Sequence, residues 1–277
     1  MITSRQNRWV QTIRQSQSKR RRGALLLEGP HLIDDAIDAG IALDAILATP
    51  EFLTGDIGRR LLPRLPRHPL EIAETLLVEV TDSDSPRGIV ALAERRALAL
   101  HDLPTVSGGI YVLADGVQDP GNLGALARSA EAAGAAGLIA GPGCGALDHP
   151  RALRASAGSL LRLPVAESRS LDAVTAHLAS LDTVWFGLVP RDGHDVWHAL
   201  PPAAEDTARV LVVGAEGRGL STAAARRLDL GLTIPMAGSV ESLNATVAAS
   251  IVLFEWRRRL NRSARTAPGT SSARTSR

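Results

Sequence analysis

Three times in the second half of the chain, an apolar run of strand length breaks into a loop rich in glycine, asparagine or acid and re-emerges as a helix. The runs are GIYVLADG (109–116), ARVLVV (208–213) and LGLTIP (230–235). The segments that carry the loops are DGVQDPGNLGALARSAEAAG (115–134), VVGAEGRGLS (212–221) and IPMAGSVESLNATVAAS (234–250). Strands that alternate with helices predict a mostly parallel sheet covered by helices. In such sheets ligands sit at the strand ends where these loops lie. Further strands are expected at 137–141 and 183–189, with helices over 122–134 and about 243–260. Gly134 is placed to end the first of these helices.

The first part of the chain is a separate small α/β unit, expected to span residues 1–100. ALLLEG (24–29), LDAILAT (43–49), PLEIA (69–73) and SPRGIVALAE (85–94) read as strands, with helices at 30–40 and 56–65. The stretch 95–109, with Pro104 and a glycine pair, reads as a linker to a second domain over 109–260. From Ser263 to Arg277 the sequence is rich in Ser, Thr, Arg and Ala and lacks periodicity, so a disordered basic tail is expected.

Charge is uneven along this plan. Residues 1–22 hold seven basic residues and the segment after Glu255 holds another seven, with no acid in either. The remaining 17 basic residues are set against all 29 acids. Basic ends on an acidic middle suggest an anionic polymer held at defined places, although two solvated ends would look the same. Lys19 is the only lysine, so lysine nucleophiles and Schiff bases are disfavoured and planar arginine contacts to phosphate are favoured. Aromatics are only 3%, which argues against a base-stacking platform. Cys144 is the only cysteine, ruling out an internal disulfide and a thiolate metal cluster and fitting a reducing, cytoplasmic setting. The N-terminus lacks a signal-peptide core, and no apolar run approaches membrane-spanning length.

Familiar nucleotide and hydrolase patterns are missing. There is no Walker loop, the glycines at 214, 217 and 219 do not give the dinucleotide fingerprint, and no G-x-S-x-G occurs. His194 and His198 are four apart, but Asp195 stands where a zinc protease helix carries glutamate, so no metal site is expected.

Taken in order, the loops resemble the three motifs of the SpoU (TrmH-like) branch of the SPOUT RNA methyltransferases. Asn122 and Arg128 are six apart, GAEGRGLS is intact, and IPM is followed by SLN. RALRASAGSLLRLPV (151–165) also looks like that family, over about 150 residues in all. ITSRQN (2–7) and LLLEGPHLIDDAI (25–37) resemble the L30e-like substrate-binding domain often fused in front. The resemblance implies a C-terminal trefoil-knot α/β domain, S-adenosylmethionine as cofactor, a ribose 2′-hydroxyl of RNA as acceptor, and a homodimer formed through the knotted domain. The L30e-like front favours large-subunit (23S) ribosomal RNA. A tRNA acceptor, or a non-catalytic RNA-binding or ribosome-assembly factor on the same fold, would share most of these features.

The resemblance also assigns residues. Arg128, Asn122, Glu216, Ser242 and Asn244 match the catalytic positions. Gly214, Ile234, Leu243, Met236 and Leu188 match the cofactor pocket. Because the cofactor brings an activated methyl, the reaction needs geometry and a deprotonated hydroxyl but no metal. A guanidinium is a poor base, so Arg128 is expected to anchor phosphate and stabilise the oxyanion. Glu216 is expected to orient Arg128 or hold its own loop. Asn122 and Ser242 are expected to cap the helices they precede.

Overall fold

The computed structural model describes residues 1–17, 24–81, 87–94, 98–198, 206–238, 240 and 242–266. Lys19 to Arg22, the start of the 85–94 segment and residues 267–277 of the expected tail lie outside them. The chain forms two sheets, one of four strands and one of seven.

The first sheet is built from β1 (Ala24–Glu28), β2 (Leu43–Ala48), β3 (Leu70–Glu71) and β4 (Ile89–Glu94), in the order β1-β4-β2-β3. One face carries α2 (Pro30–Asp38), α3 (Pro50–Thr54) and α4 (Asp56–Leu61). Leu27, Ile46, Ala91 and Ile33 form the core on this side. The other face carries α1 (Arg8–Gln17) and α5 (Glu74–Val80), with Val10, Ile13, Leu77 and Val90 fully buried. The basic N-terminal segment is therefore partly a core helix. Arg5 and Arg14 are spent on Glu79, and Arg8 lies over the Trp9 ring. Sequence reading missed α3 and α5, each shorter than two full turns, where few repeats of the 3.6-residue period can show.

In the second unit the strands are β5 (Ile110–Asp115), β6 (Gly137–Ala140), β7 (Val165–Glu167), β8 (Thr183–Leu188), β9 (His194–Asp195), β10 (Ala208–Gly214) and β11 (Leu230–Thr233). Their order is β7-β6-β5-β10-β8-β11-β9, and every pairing is parallel. All residues of β5 and β10 are buried, as expected for central strands covered on both sides. Alternate residues serve opposite layers. Val112 and Leu211 meet α6 (Pro120–Ala132) and α11 (Ala245–Thr266), whereas Tyr111, Val210 and Val212 meet α9 (Leu171–Leu178). The short helices α7 (Pro150–Ser156), α8 (Ser159–Arg162) and α10 (Thr222–Ala225) fill connections.

Two helix starts differ from expectation. α6 begins at Pro120, and its cap is Asp119, whose carboxylate accepts the Asn122 N–H at 2.9 Å. Proline at the first helical position fits here because its missing N–H would have no partner. α11 begins at Ala245, and its cap is Asn244, not Ser242: Asn244 Oδ1 accepts from Thr246 N at 2.9 Å and Val247 N at 3.3 Å. The same helix runs through Thr266, so residues 263–266 of the expected tail are helical.

The segment 150–163 joins the two units. Leu153 is buried within the core of the first unit, with Leu160 and Leu161 packed beside it. Arg154 pairs with the Glu28 carboxylate at 2.7 Å. Arg162 reaches Glu131 on α6 at 2.8 Å and Asp35 on α2 at 2.7 Å.

Candidate active site

The ends of β8, β10 and β11, together with the start of α11, enclose a cavity of about 400 Å³. Leu188, Gly214, Ile234, Met236 and Leu243 line it, as do Glu216, Ser242 and Asn244. Residues far apart in sequence meet here because parallel strands deliver all their loops to one edge.

Beside the cavity, Asn122 joins the three loops. Its Nδ2 donates to Glu216 Oε1, its Oδ1 accepts from Asn244 Nδ2 at 3.3 Å, and its carbonyl accepts from Thr246 Oγ1 at 3.2 Å. One residue of α6 thus holds the 215–219 loop and the first turn of α11. A further bond, between Ser129 Oγ and Ser250 Oγ at 2.7 Å, fastens the two helices one level deeper.

The 215–219 loop is a tight hairpin. Ala215 and Gly219 exchange backbone bonds of 3.1 and 2.8 Å, and Gly217 and Gly219 take positive φ of 80° and 68°. Asp115, only 3% exposed, accepts the Ser221 N–H at 2.6 Å and anchors the hairpin's exit. At Gly214 a side chain would overlap the Gly219 backbone, so the approach of the two strands requires glycine. At Gly217 and Gly219 a Cβ would meet nothing within 4 Å, so bare backbone borders the cavity and a ligand can lie against it.

Arg128 is not part of this cluster. It is exposed, does not line the cavity, and has no hydrogen-bond or ion-pair partner among the described residues. The reason is helical geometry: six residues make about one and two-thirds turns, which leaves Arg128 about 120° around α6 from Asn122. Of the two roles expected of Glu216, no bond to Arg128 is present among the described residues; the glutamate is engaged by Asn122. His194 lies in β9, and His198 Nδ1 is 3.0 Å from Asp195 Oδ2.

Sequence reading missed Asp115, Asp119 and Thr246. The Asp-Pro pair at 119–120 is the one local signal that could have found Asp119, since aspartate before proline suits a helix start. Asp115 and Thr246 carry no local signal, since their partners are 106 and 124 residues away.

Residues 109–254 match the model of the SpoU rRNA Methylase family. The chain belongs to the SpoU rRNA methylase family. Residues 7–91 of this SpoU methylase match an MRM3-like substrate binding domain. The chain is 32% identical to the 23S rRNA (uridine(2479)-2′-O)-methyltransferase of Streptomyces viridochromogenes, over 92% of this chain and 90% of that protein. It is 29% identical to the Bacillus subtilis (strain 168) 23S rRNA (guanosine(2553)-2′-O)-methyltransferase RlmP, over 92% and 98%. Among solved structures it resembles the S. viridochromogenes SpoU methyltransferase AviRb in complex with AdoMet, with a TM-score of 0.82, 30% identity, and coverage of 92% of this chain and 99% of that one. An AdoMet-bound rRNA methyltransferase from Sinorhizobium meliloti superposes at 0.79, with 30% identity and coverage of 94% and 97%.

Proposed function

We propose that this SpoU methylase transfers a methyl group from S-adenosylmethionine to a ribose 2′-hydroxyl of large-subunit (23S) ribosomal RNA. The observation that carries this reading is the cavity at the ends of β8, β10 and β11, with the Asn122–Glu216–Asn244 cluster at its edge. When bound, the cofactor supplies a methyl already activated on a sulfonium. The residues fit it. Leu188, Ile234, Met236 and Leu243 offer apolar walls, and the glycine-bordered hairpin lets the ligand approach main chain.

The chain's own contribution is to hold the acceptor ribose in line and ease loss of its proton. Ser242 and Asn244 line the cavity, where they can bind the ribose. Asn122 and Glu216 fix Asn244 and the hairpin in place. Arg128, about 9 Å along α6 from Asn122, is free to hold an RNA phosphate and to stabilise charge growing on the hydroxyl oxygen.

The finer organisation follows from the same reading. Residues 1–100 form the substrate-binding domain and 109–260 the catalytic domain, as the two separate sheets support. The C-terminal domain carries a trefoil knot, in keeping with α11 packing back on α6, β8 and β10. Val247 and Phe254, each about half exposed on α11, offer an apolar face to a second copy, and the working form is a homodimer. No helix among the described residues is long and apolar enough to cross a membrane, and we place the enzyme in the cytoplasm with its ribosomal substrate.

The deciding experiment is mass mapping of ribosomal RNA from cells with and without the gene. One 2′-O-methyl nucleotide in 23S rRNA should vanish with the gene and return with the purified enzyme and cofactor. An unchanged map, with no transfer of labelled methyl to 23S rRNA in vitro, would refute the assignment.

A further inference from the structure

The hairpin at 215–219 has two charged residues, and they line different cavities. Glu216 borders the cofactor cavity and takes the Asn122 amide. Arg218 lines a second crevice of about 510 Å³, set between the C-terminal ends of β5, β6 and β10. Ala215 and Gly219 border both, so the two cavities share one wall only a hairpin thick.

The crevice lies where the sheet changes direction. From β5 the chain moves outward through β6 to β7, while β10 and β8 lie on the opposite side. Loops diverge at such a switch point and leave a ligand-sized gap. Part of its floor is main chain, at Gly116 (φ 73°) and Gly143 (φ 77°). Two acids line it, and both are occupied. Asp115 is buried and receives the Ser221 N–H. Asp172 is paired with Arg227, which is also fixed by Thr175 Oγ1 at 3.2 Å and Ala223 O at 2.7 Å. Arg218 is exposed and has no hydrogen-bond or ion-pair partner among the described residues. The two Ala215–Gly219 bonds close the hairpin and set its backbone beside the crevice.

We propose that this crevice is a phosphodiester subsite for the RNA substrate, in which Arg218 holds a backbone phosphate next to the nucleotide being methylated and Arg227 forms the far wall. The proposal rests on the RNA methyltransferase reading and adds the path of the strand: from the cofactor cavity across the 215–219 hairpin into the β5–β10 switch point. An exposed guanidinium without an acid partner suits a phosphate, which it can grip through two parallel hydrogen bonds. Direct contact between the two cavities favours a polymer that enters both over a small free anion.

The test uses the full chain saturated with S-adenosylhomocysteine and an in vitro transcript of 23S rRNA, titrated by filter binding across a salt series. Arg218→Ala should weaken RNA binding about tenfold, on the scale of one charge-assisted hydrogen bond. The slope of log affinity against log salt should fall by about one. Arg218→Lys should recover the slope but only part of the affinity, since an ammonium lacks the bidentate fork. S-adenosylhomocysteine affinity, read by calorimetry, should stay within about twofold of wild type. Unchanged RNA affinity and slope in Arg218→Ala, with wild-type RNA and cofactor binding intact, would overturn the subsite and leave the methyltransferase reading standing. Failure of the wild-type protein to bind RNA or cofactor would overturn both. If millimolar inorganic phosphate raises the melting temperature of the wild type but not of Arg218→Ala, while RNA binding is equal in the two, the crevice takes a free anion and not the strand.

Discussion

Asn122 has almost no spare bonding capacity. Its N–H, both ends of its side chain and its carbonyl are all engaged, by Asp119, by the 215–219 hairpin and by the start of α11. Arg128, on the same helix, has no partner among the described residues. Arg128→Ala should lower kcat by roughly 10²–10³-fold, the scale of one lost oxyanion donor, while melting temperature and cofactor affinity hold. Near-normal single-turnover methylation would remove Arg128 from the chemistry, and a KM effect alone would mean uniform RNA binding. Gly214→Ala should act on the pocket instead. Its methyl would overlap the Gly219 backbone, so S-adenosylmethionine binding, expected in the micromolar range at about −7 to −8 kcal/mol, should fall below detection by calorimetry. Retained binding would show that the hairpin can shift.

At the scale of elements, α6 is held by close approach on one side and by polar bonds on the other. Gly124 lies against α7 so tightly that a methyl would overlap the Ala152 carbonyl. Gly124→Ala improves helix propensity yet should destabilise the protein by about 1–3 kcal/mol, as overpacking does; denaturant titration measures this. α11 has a charge lock of its own. Arg258 and Arg259 hydrogen-bond the buried Glu255 carboxylate and hold its pKa down at about 2, against an ordinary 4.5. A depressed carboxylate stabilises the fold above its unfolded pKa and loses that contribution as pH falls through the folded one. Acid titration of wild type should therefore lose stability between about pH 4.5 and 2, and Glu255→Gln should lose less over that window. Elements of this kind were legible in sequence where an apolar run gave the period: β5, β10 and the body of α11 fall where reading placed them. Their starts were not. Asp119 and Asn244, not Asn122 and Ser242, supply the caps, and Asn122 spends its side chain on Glu216 and Asn244, 94 and 122 residues away. The pocket-lining set was legible only through resemblance, since Ile234, Met236 and Leu243 look like ordinary core in isolation.

For the whole molecule, the basic ends need separate treatment. α1 contributes Val10 and Ile13 to the first core, so deleting residues 1–22 would confuse lost RNA contacts with lost folding. Replacing Lys19, Arg20, Arg21 and Arg22 by glutamine avoids this. If these side chains meet phosphate, RNA affinity should drop and the salt slope should flatten by up to about 0.9 per contact, with cofactor affinity unchanged. An identical slope would mean that they stay in solvent.

Ser242, Leu243 and Asn244, which wall the cavity at the ends of β8, β10 and β11, follow the whole first sheet in sequence, and this orders events during synthesis. Translation delivers the four strands of the first sheet before any strand of the second, and domains fold as they emerge. The first sheet, whose core is completed by Leu153, is therefore made well before that cavity has all its walls. A chain cut short before Ser242 would lack one wall of that cavity, whatever the quality of the rest.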